Sequence, residues 1–306
     1  MKKIIIITGQ TATGKTSLAI KLARHYNTEI INADAVIFYK YMDIGGAKPT
    51  KEELSQAKHH LIGIKEPYEE FTANSFMIEA DKIIENLTAK NKIPIIVGGS
   101  QLYIKALLRG LFKIPDTPKE IKEKWRKLLK EKGSVYLHEE LKKVDPEAAK
   151  RLHPNDSQRL ERALEVFDTT GKTITEFQKE HQFKELRYDY IKLATFYPRE
   201  ELYERINKRV DLMIKDGLEN EVRKLLEMGY TPENTKIMKA IAYPEFTKYI
   251  RGEWTFDEAV TKTKQHTRNF AKRQTTGLKS EKEVNWLNKN NNFEEAVKLI
   301  DEFLKK

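Results

Sequence analysis

Eight residues near the N-terminus, Gly9-Gln10-Thr11-Ala12-Thr13-Gly14-Lys15-Thr16, match the pattern G-x-x-x-x-G-K-[ST] at every fixed position. Glycines there let consecutive backbone N–H groups turn toward one centre. A helix starting at the last of them adds positive partial charge, Lys15 adds a full cation, and the Thr16 hydroxyl is a ligand suited to Mg²⁺. Such an assembly holds a di- or triphosphate. The expected phosphate site is therefore Gly9, Thr11, Ala12, Thr13, Gly14, Lys15 and Thr16, with Thr16 as the metal ligand. A glycine-rich turn of purely structural duty would share these letters, but the flanks argue for the functional loop. Lys3-Ile4-Ile5-Ile6-Ile7 before it reads as a buried parallel strand, and Leu18, Leu22 and Tyr26 after it fall at helical spacing.

Phosphate binding alone does not name the reaction. A nucleoside triphosphatase of this type pairs the loop with a later strand that ends in an acidic residue holding Mg²⁺. The best later strand, Ile93-Pro94-Ile95-Ile96-Val97, runs instead into Gly98-Gly99-Ser100. The carboxylate at a strand end is Asp34, after Glu29-Ile30-Ile31-Asn32-Ala33, and in a parallel sheet it emerges on the same edge as the phosphate loop. Asp34 is thus a candidate base or metal partner, with a solvated turn aspartate as the bland alternative. Late in the chain Lys262, Lys264, Arg268, Lys272, Arg273 and Lys279 occur with no acidic residue between Lys262 and Lys279. On a helix they form a phosphate-seeking surface or simply a solvated basic face. His59-His60 and the other histidines lack metal-ligand spacing.

These groups need a scaffold. Strand, loop, helix and strand over residues 3–34 begin a βαβ unit, and further elements follow. They are a helix through Ile78, Ile83, Ile84 and Leu87, the strand 93–97, a helix over 102–111, and a strand over 191–196. Between them, from about Lys113 to Lys184, lies a charged stretch of helical pattern. Within it Pro154-Asn155-Asp156 offers N-cap chemistry, Leu160, Ala163, Leu164 and Phe167 an apolar face, and Gly171 a stop. The expected architecture is α/β, with a core in 1–112 and 186–306 and a helical insertion in 113–185. The C-terminal third is expected to be helical throughout.

Length and composition agree with a folded enzyme: 306 residues, 39% hydrophobic and 33% charged. The absence of cysteine removes disulfides, thiolate metal sites and cysteine nucleophiles. The four-isoleucine run near the start is too short for a signal-peptide core or a membrane span, so a cytoplasmic protein with no membrane partner is expected. A net charge of +10 favours a polyanionic partner, although lysine enrichment also accompanies thermal adaptation.

Taken in order, several stretches resemble the tRNA dimethylallyltransferases, also called tRNA isopentenyltransferases, over nearly the whole chain. They are Gly9–Thr16, Asn32-Ala33-Asp34, Tyr39, Met42-Asp43-Ile44-Gly45, Ala47-Lys48-Pro49, His59-His60-Leu61-Ile62 and Ile95–Ser100. Asn155-Asp156, Arg159–Val166, Gly217-Leu218, Glu221-Val222-Arg223, Thr267-Arg268 and Ala271-Lys272-Arg273-Gln274 complete the set. The resemblance implies a P-loop kinase-like parallel sheet with flanking helices and a helical insertion. It also implies transfer of a dimethylallyl group from dimethylallyl diphosphate to N6 of the adenine 3′ of the anticodon. Carried over by position, Asp34 is the general base, Ser100 binds the leaving diphosphate and Arg223 contacts its phosphates. The tRNA anticodon stem-loop is expected to meet Asp34, Ala35, Val36, Ile37, Ser100, Lys122, Gln158, Arg159, Leu160, Glu161, Arg162, Lys239, Lys272, Arg273, Gln274 and Lys279. A monomer is expected. Ala35-Val36-Ile37 stands where the family usually carries Ser-Met-Gln, Ser100 where it carries Thr, Gln101 where Gly is common, and after Gln274 the usual Thr-Trp-Phe-Arg has become Thr275-Thr276-Gly277-Leu278-Lys279. A P-loop small-molecule kinase and a catalytically altered tRNA-binding paralogue are the competing readings.

Overall fold

The computed structural model describes residues 1–281 and 283–306. They form two compact units, one of residues 1–108 with 187–306 and the other of residues 109–186.

The larger unit is built on a parallel sheet. Its strands are β1 (Lys3–Gly9), β2 (Ile30–Asn32), β3 (His59–His60), β4 (Ile95–Val97), β5 (Asp189–Thr195) and β6 (Val284–Leu287), in the spatial order β3-β2-β4-β1-β5-β6. β1 lies inside the sheet, paired with β4 on one side and β5 on the other. Its isoleucines show why a continuous β-branched run suits that place, since successive side chains of a strand point to opposite faces. Ile4 and Ile6 join one core with Phe38, Phe76, Ile104, Val222 and Phe246. Ile5 and Ile7 join the other with Leu18, Leu22, Leu193 and Ile300. All four are fully buried, each stabilising the fold by roughly 1.5–3 kcal/mol. A slip of one residue would exchange the two faces of the strand.

Two strands depart from expectation. The C-terminal third is not helical throughout, because β6 pairs in parallel with β5 from Lys192↔Val284 to Thr195↔Leu287. Val284-Asn285-Trp286-Leu287 has no clear apolar alternation, so its pairing rests on a tertiary edge that local pattern does not reveal. Asn285 Nδ2 donates to the Lys192 carbonyl at that edge. At the opposite edge the two residues of β3 pair with Ile30 and Ile31.

The smaller unit contains the helices Lys119–Val144, Pro146–Arg151, Ser157–Thr170 and Ile174–His181. The first is broken at Gly133, whose φ of 78° is left-handed. The last three start on local caps: Asp145 accepts from the N–H of Ala148, Asp156 from that of Arg159, and Thr173 from that of Glu176. Gly171 in the left-handed region ends the third helix, as the pattern predicts. Trp125, Leu137, Leu141, Leu160 and Leu164 fill the unit's core. Among the described residues, no helix is long and apolar enough to cross a membrane.

Candidate active site

The phosphate loop leaves β1 at Gly9 and enters the helix Lys15–His25 through Gly14. At Gly9 the φ is 137°, and a Cβ would sit 2.5 Å from the Thr195 carbonyl oxygen, so only glycine passes there. Gly14, with φ of 82°, turns the chain into the helix. The Thr13 hydroxyl donates to the Gln10 carbonyl (2.7 Å) and meets the Thr195 hydroxyl (2.6 Å).

Much of what shapes the loop comes from far along the chain. Arg205 Nε donates to the Ala12 carbonyl (2.8 Å). Gln274 Oε1 accepts from the Thr11 N–H (2.8 Å) while its Nε2 donates to the Gly99 carbonyl (3.3 Å). Gln10 Nε2 donates to Thr275 Oγ1 (2.6 Å), and Gln101 Nε2 to Thr8 Oγ1 (2.9 Å). The helix Phe256–Lys279 thereby ties the loop after β1 to the turn after β4. Gln274 was expected on the tRNA face, but it is buried between those two backbones, and its amide is spent on them. Leu160 likewise leaves the expected tRNA set: it is fully buried in the core of the helical unit. Its neighbours Gln158, Arg159 and Arg162 are exposed and Glu161 half-buried.

Asp34 stands just past β2, on the sheet edge where the phosphate loop lies. Its N–H donates to Asn32 Oδ1, its Oδ1 accepts from the Val36 N–H (3.2 Å), and Asn32 Nδ2 holds its carbonyl (3.2 Å). Ser100 Oγ accepts from the Ala35 N–H (3.1 Å), and Ser100 N donates to the Ala33 carbonyl (3.3 Å). The close approach of the two turns requires glycine at 98, where a Cβ would sit 2.2 Å from the Ala33 oxygen. Gly98 and Gly99 therefore occupy the end of β4 for packing reasons, where a triphosphatase would place its carboxylate.

Three charges meet at this edge. Burial lowers the Lys15 ammonium from its ordinary value of 10.5 to about 8, opposed by Asp34 and reinforced by Arg209. Burial also lowers the Arg209 guanidinium, again opposed by Asp34. Asp34 thus faces two desolvated cations, a setting in which a diphosphate would find complementary charge. Arg209 is a residue the motif reading missed. The expected partner, Arg223, is exposed, and its Nε and Nη2 both donate to Glu219 Oε1 (2.9 and 2.7 Å). Arg209 carried one signal: it follows Leu202 and Ile206 at helical spacing, so it lies on the stripe that buries those residues and Val210. A charged residue on an apolar stripe marks a site.

Lys15 Nζ donates to the Gln10 carbonyl (2.5 Å), and Thr16 sits in the first turn of the helix behind it. Ala35, Val36 and Ile37 are half-buried beside Asp34. On the helix Phe256–Lys279, Lys264 pairs with Asp211 and Arg268 donates to Asn207, whereas Lys272, Arg273 and Lys279 are exposed. Lys239 is exposed at the end of a short helix, and Lys122 is half-buried in the smaller unit. Among the described residues, no three His, Asp or Glu side chains are grouped to hold a metal. A metal bound at Thr16 would thus draw most of its ligands from substrate oxygens and water, as Mg²⁺ in phosphate sites does.

Comparison with known proteins gives this geometry a context. A family model described as IPP transferase matches residues 37–281. A tRNA dimethylallyltransferase of Caldanaerobacter subterraneus subsp. tengcongensis is 44% identical over 307 residues, covering 99% of this chain and 97% of that protein. One from Acetivibrio thermocellus is 44% identical over 302 residues, covering 98% and 96%. The full-length tRNA isopentenylpyrophosphate transferase of Bacillus halodurans has a similar structure, with a TM-score of 0.73 at 33% identity over 100% of this chain and 96% of that one. A eukaryotic dimethylallyltransferase crystallised acting on tRNA gives a TM-score of 0.86 at 28% identity, over 100% of this chain and 80% of that one.

Proposed function

The chain belongs to the IPP transferase family, and we propose that it moves a dimethylallyl group from dimethylallyl diphosphate to N6 of the adenine 3′ of the anticodon in tRNA. The observation that carries this reading is the shared strand edge: the Gly9–Thr16 loop follows β1, Asp34 follows β2 with Ser100 Oγ on the Ala35 N–H (3.1 Å), and glycines rather than a carboxylate follow β4.

The adenine amino nitrogen is a weak nucleophile because its lone pair is delocalised into the ring, so a carboxylate that takes its proton during attack has a real task. Asp34 takes that role. As the carbon–oxygen bond of the donor stretches, charge collects on the departing diphosphate, and donors already in position stabilise it. The amides of Gly9–Thr16, the ammonium of Lys15 and the guanidinium of Arg209 are those donors, with the Ser100 hydroxyl beside them. Arg209 replaces Arg223 in this role because it shares the electrostatics of Lys15 and Asp34. A divalent metal, Mg²⁺ in this reading, held by the Thr16 hydroxyl, supplies further neutralisation of the diphosphate.

For N6 to reach Asp34 the adenine must leave the stack of the anticodon loop, and single-stranded loops are where proteins read RNA bases. Ala35, Val36 and Ile37 form its apolar surround. The exposed cations Lys272, Arg273, Lys279 and Lys239 of the larger unit take tRNA phosphates, as do Lys122, Arg159 and Arg162 of the smaller one, with Gln158 and Glu161 adding polar contacts. The test is transfer of labelled dimethylallyl groups to an unmodified anticodon stem-loop. Label in the RNA at the adenine supports the proposal. Tight, salt-sensitive tRNA binding with no transfer would identify a paralogue without this chemistry, and transfer of a phosphoryl group from ATP to a small molecule would identify a kinase.

A further inference from the structure

Glu221 belongs to the stretch Gly217–Arg223, whose only expected role lay with Arg223. Its carboxylate is engaged at both oxygens. Oε2 accepts from the N–H groups of Asp43 (2.8 Å) and Ile44 (2.7 Å), and Oε1 from the N–H of Gly45 (2.9 Å) and the hydroxyl of Tyr243 (2.9 Å). Four donors meet the roughly four lone-pair sites a carboxylate offers. Three consecutive amides converging on one centre form an anion-binding concavity, and here the protein's own helix Leu218–Glu227 supplies the anion.

The loop so held begins at Asp34. Beyond it, the carbonyls of Ile37 and Phe38 accept from Gly63 and Lys65. The chain then turns at Met42, which is fully buried, and doubles back so that Gly46 abuts Val36: a Cβ at Gly46 would lie 3.1 Å from Val36 Cγ1 and 2.4 Å from the Met42 oxygen. Glu221 thus anchors the turn against which the Asp34–Ile37 segment rests. Tyr243 is fully buried, and its ring would sit 2.7 Å from a Cβ at Gly45, so glycine there is what admits the phenol to the carboxylate.

We infer that Glu221, seconded by Tyr243, is a positioning residue: it holds the 43–46 turn so that Asp34 and the residues after it stay aligned with the phosphate loop. The inference rests on the reading of Asp34 as the base. Two full-length variants test it, Glu221→Gln, which places an amide donor against amide donors, and the milder Tyr243→Phe, which removes one of four bonds. Hydrogen exchange of a peptide spanning 42–46 should accelerate at least about tenfold in Glu221→Gln, with the 9–16 peptide unchanged. Single-turnover transfer at saturating substrates should fall by about tenfold or more while the dissociation constant for dimethylallyl diphosphate stays within about twofold, because misplacement near the chemistry costs rate more than binding. Tyr243→Phe should shift both readouts in the same direction by less, and Glu221→Asp should recover part of the lost rate. Unchanged exchange overturns the anchor. Faster exchange with wild-type transfer overturns its link to Asp34. A wild-type protein that transfers nothing overturns the reading of Asp34, and with it this role, even where the exchange result reveals the tether.

Discussion

The helix starts of the smaller unit and the phosphate loop of the larger one hold their polar groups in opposite ways. In the helical unit the bonds that set the helix starts join residues three positions apart, as from Ala148 to Asp145 and Arg159 to Asp156. Around the phosphate loop they join residues 182 to 265 positions apart: Thr13 to Thr195, Arg205 to Ala12, Thr11 to Gln274 and Gln10 to Thr275. A local cap needs one side chain beside one free N–H and forms wherever the helix forms. A long-range tie forms only once the sheet has brought both ends together, so it couples the shape of the site to the completeness of the fold. The geometry of that edge thereby depends on distant segments, while the caps at Asp156 and Thr173 are set within their own turns.

That contrast predicts graded effects. The largest falls on the shared edge: Asp34→Asn should slow transfer by roughly 10²- to 10⁴-fold with tRNA affinity nearly intact, as loss of a general base does. A parallel loss of tRNA affinity in a binding titration would reassign Asp34 to recognition. Next, Arg209→Ala should cost about 10²-fold in rate, the scale of removing one preorganised donor, whereas Arg223→Ala should change it by less than about twofold. Steady-state rates for the pair decide it, and the reverse order would restore Arg223.

In the helical unit the expected effects are on stability. Leu160→Ala should lower it by about 2–5 kcal/mol through the cavity it leaves, and Asp156→Ala by about 1 kcal/mol through the lost cap, both measured by denaturant unfolding. Dimethylallyl diphosphate affinity should be unaltered in both; a loss would show that this unit is not independent of the site.

The smallest effect is a pH dependence. The protein sets the Lys15 ammonium at about 8, below its ordinary 10.5. A diphosphate favours the charged form and raises that value, so binding takes up protons where Lys15 is otherwise neutral. Affinity should therefore decline as pH rises through 8, above the range at about pH 6 in which the diphosphate itself ionises. Calorimetry in buffers of different ionisation enthalpy should record proton uptake near pH 8.5 and little near pH 6.5. Uptake that persists in Lys15→Met would assign the effect elsewhere.

Much of this fold was legible because its signals are local. The isoleucine run of β1 and the glycine loop after it carry their meaning within a dozen residues, as do Asp156 and Gly171 at the ends of one helix. β6 was not legible, since Val284–Leu287 becomes a strand only by meeting the free edge of β5. Near the candidate site, the pattern placed Lys15, Thr16 and Asp34 past strand ends, and strand ends in a parallel sheet share one edge. The resemblance put Gln274 and Leu160 on a binding face and named Arg223 without considering Arg209, because position in a motif does not show which way a side chain points.

By itself the sequence determined that a loop of the G-x-x-x-x-G-K-[ST] pattern follows a buried strand, that a carboxylate stands just past the next strand, and that a stretch of capped helices interrupts the core. Only the tertiary structure decided which arginine shares the field of Lys15 and Asp34, which glutamine binds the loop shut, and which carboxylate fills the amides of the 43–45 turn. The reason is physical: propensities and caps act over a few residues, whereas the field at a buried charge and the hydrogen bonds of a turn depend on groups that only folding brings within a few ångströms.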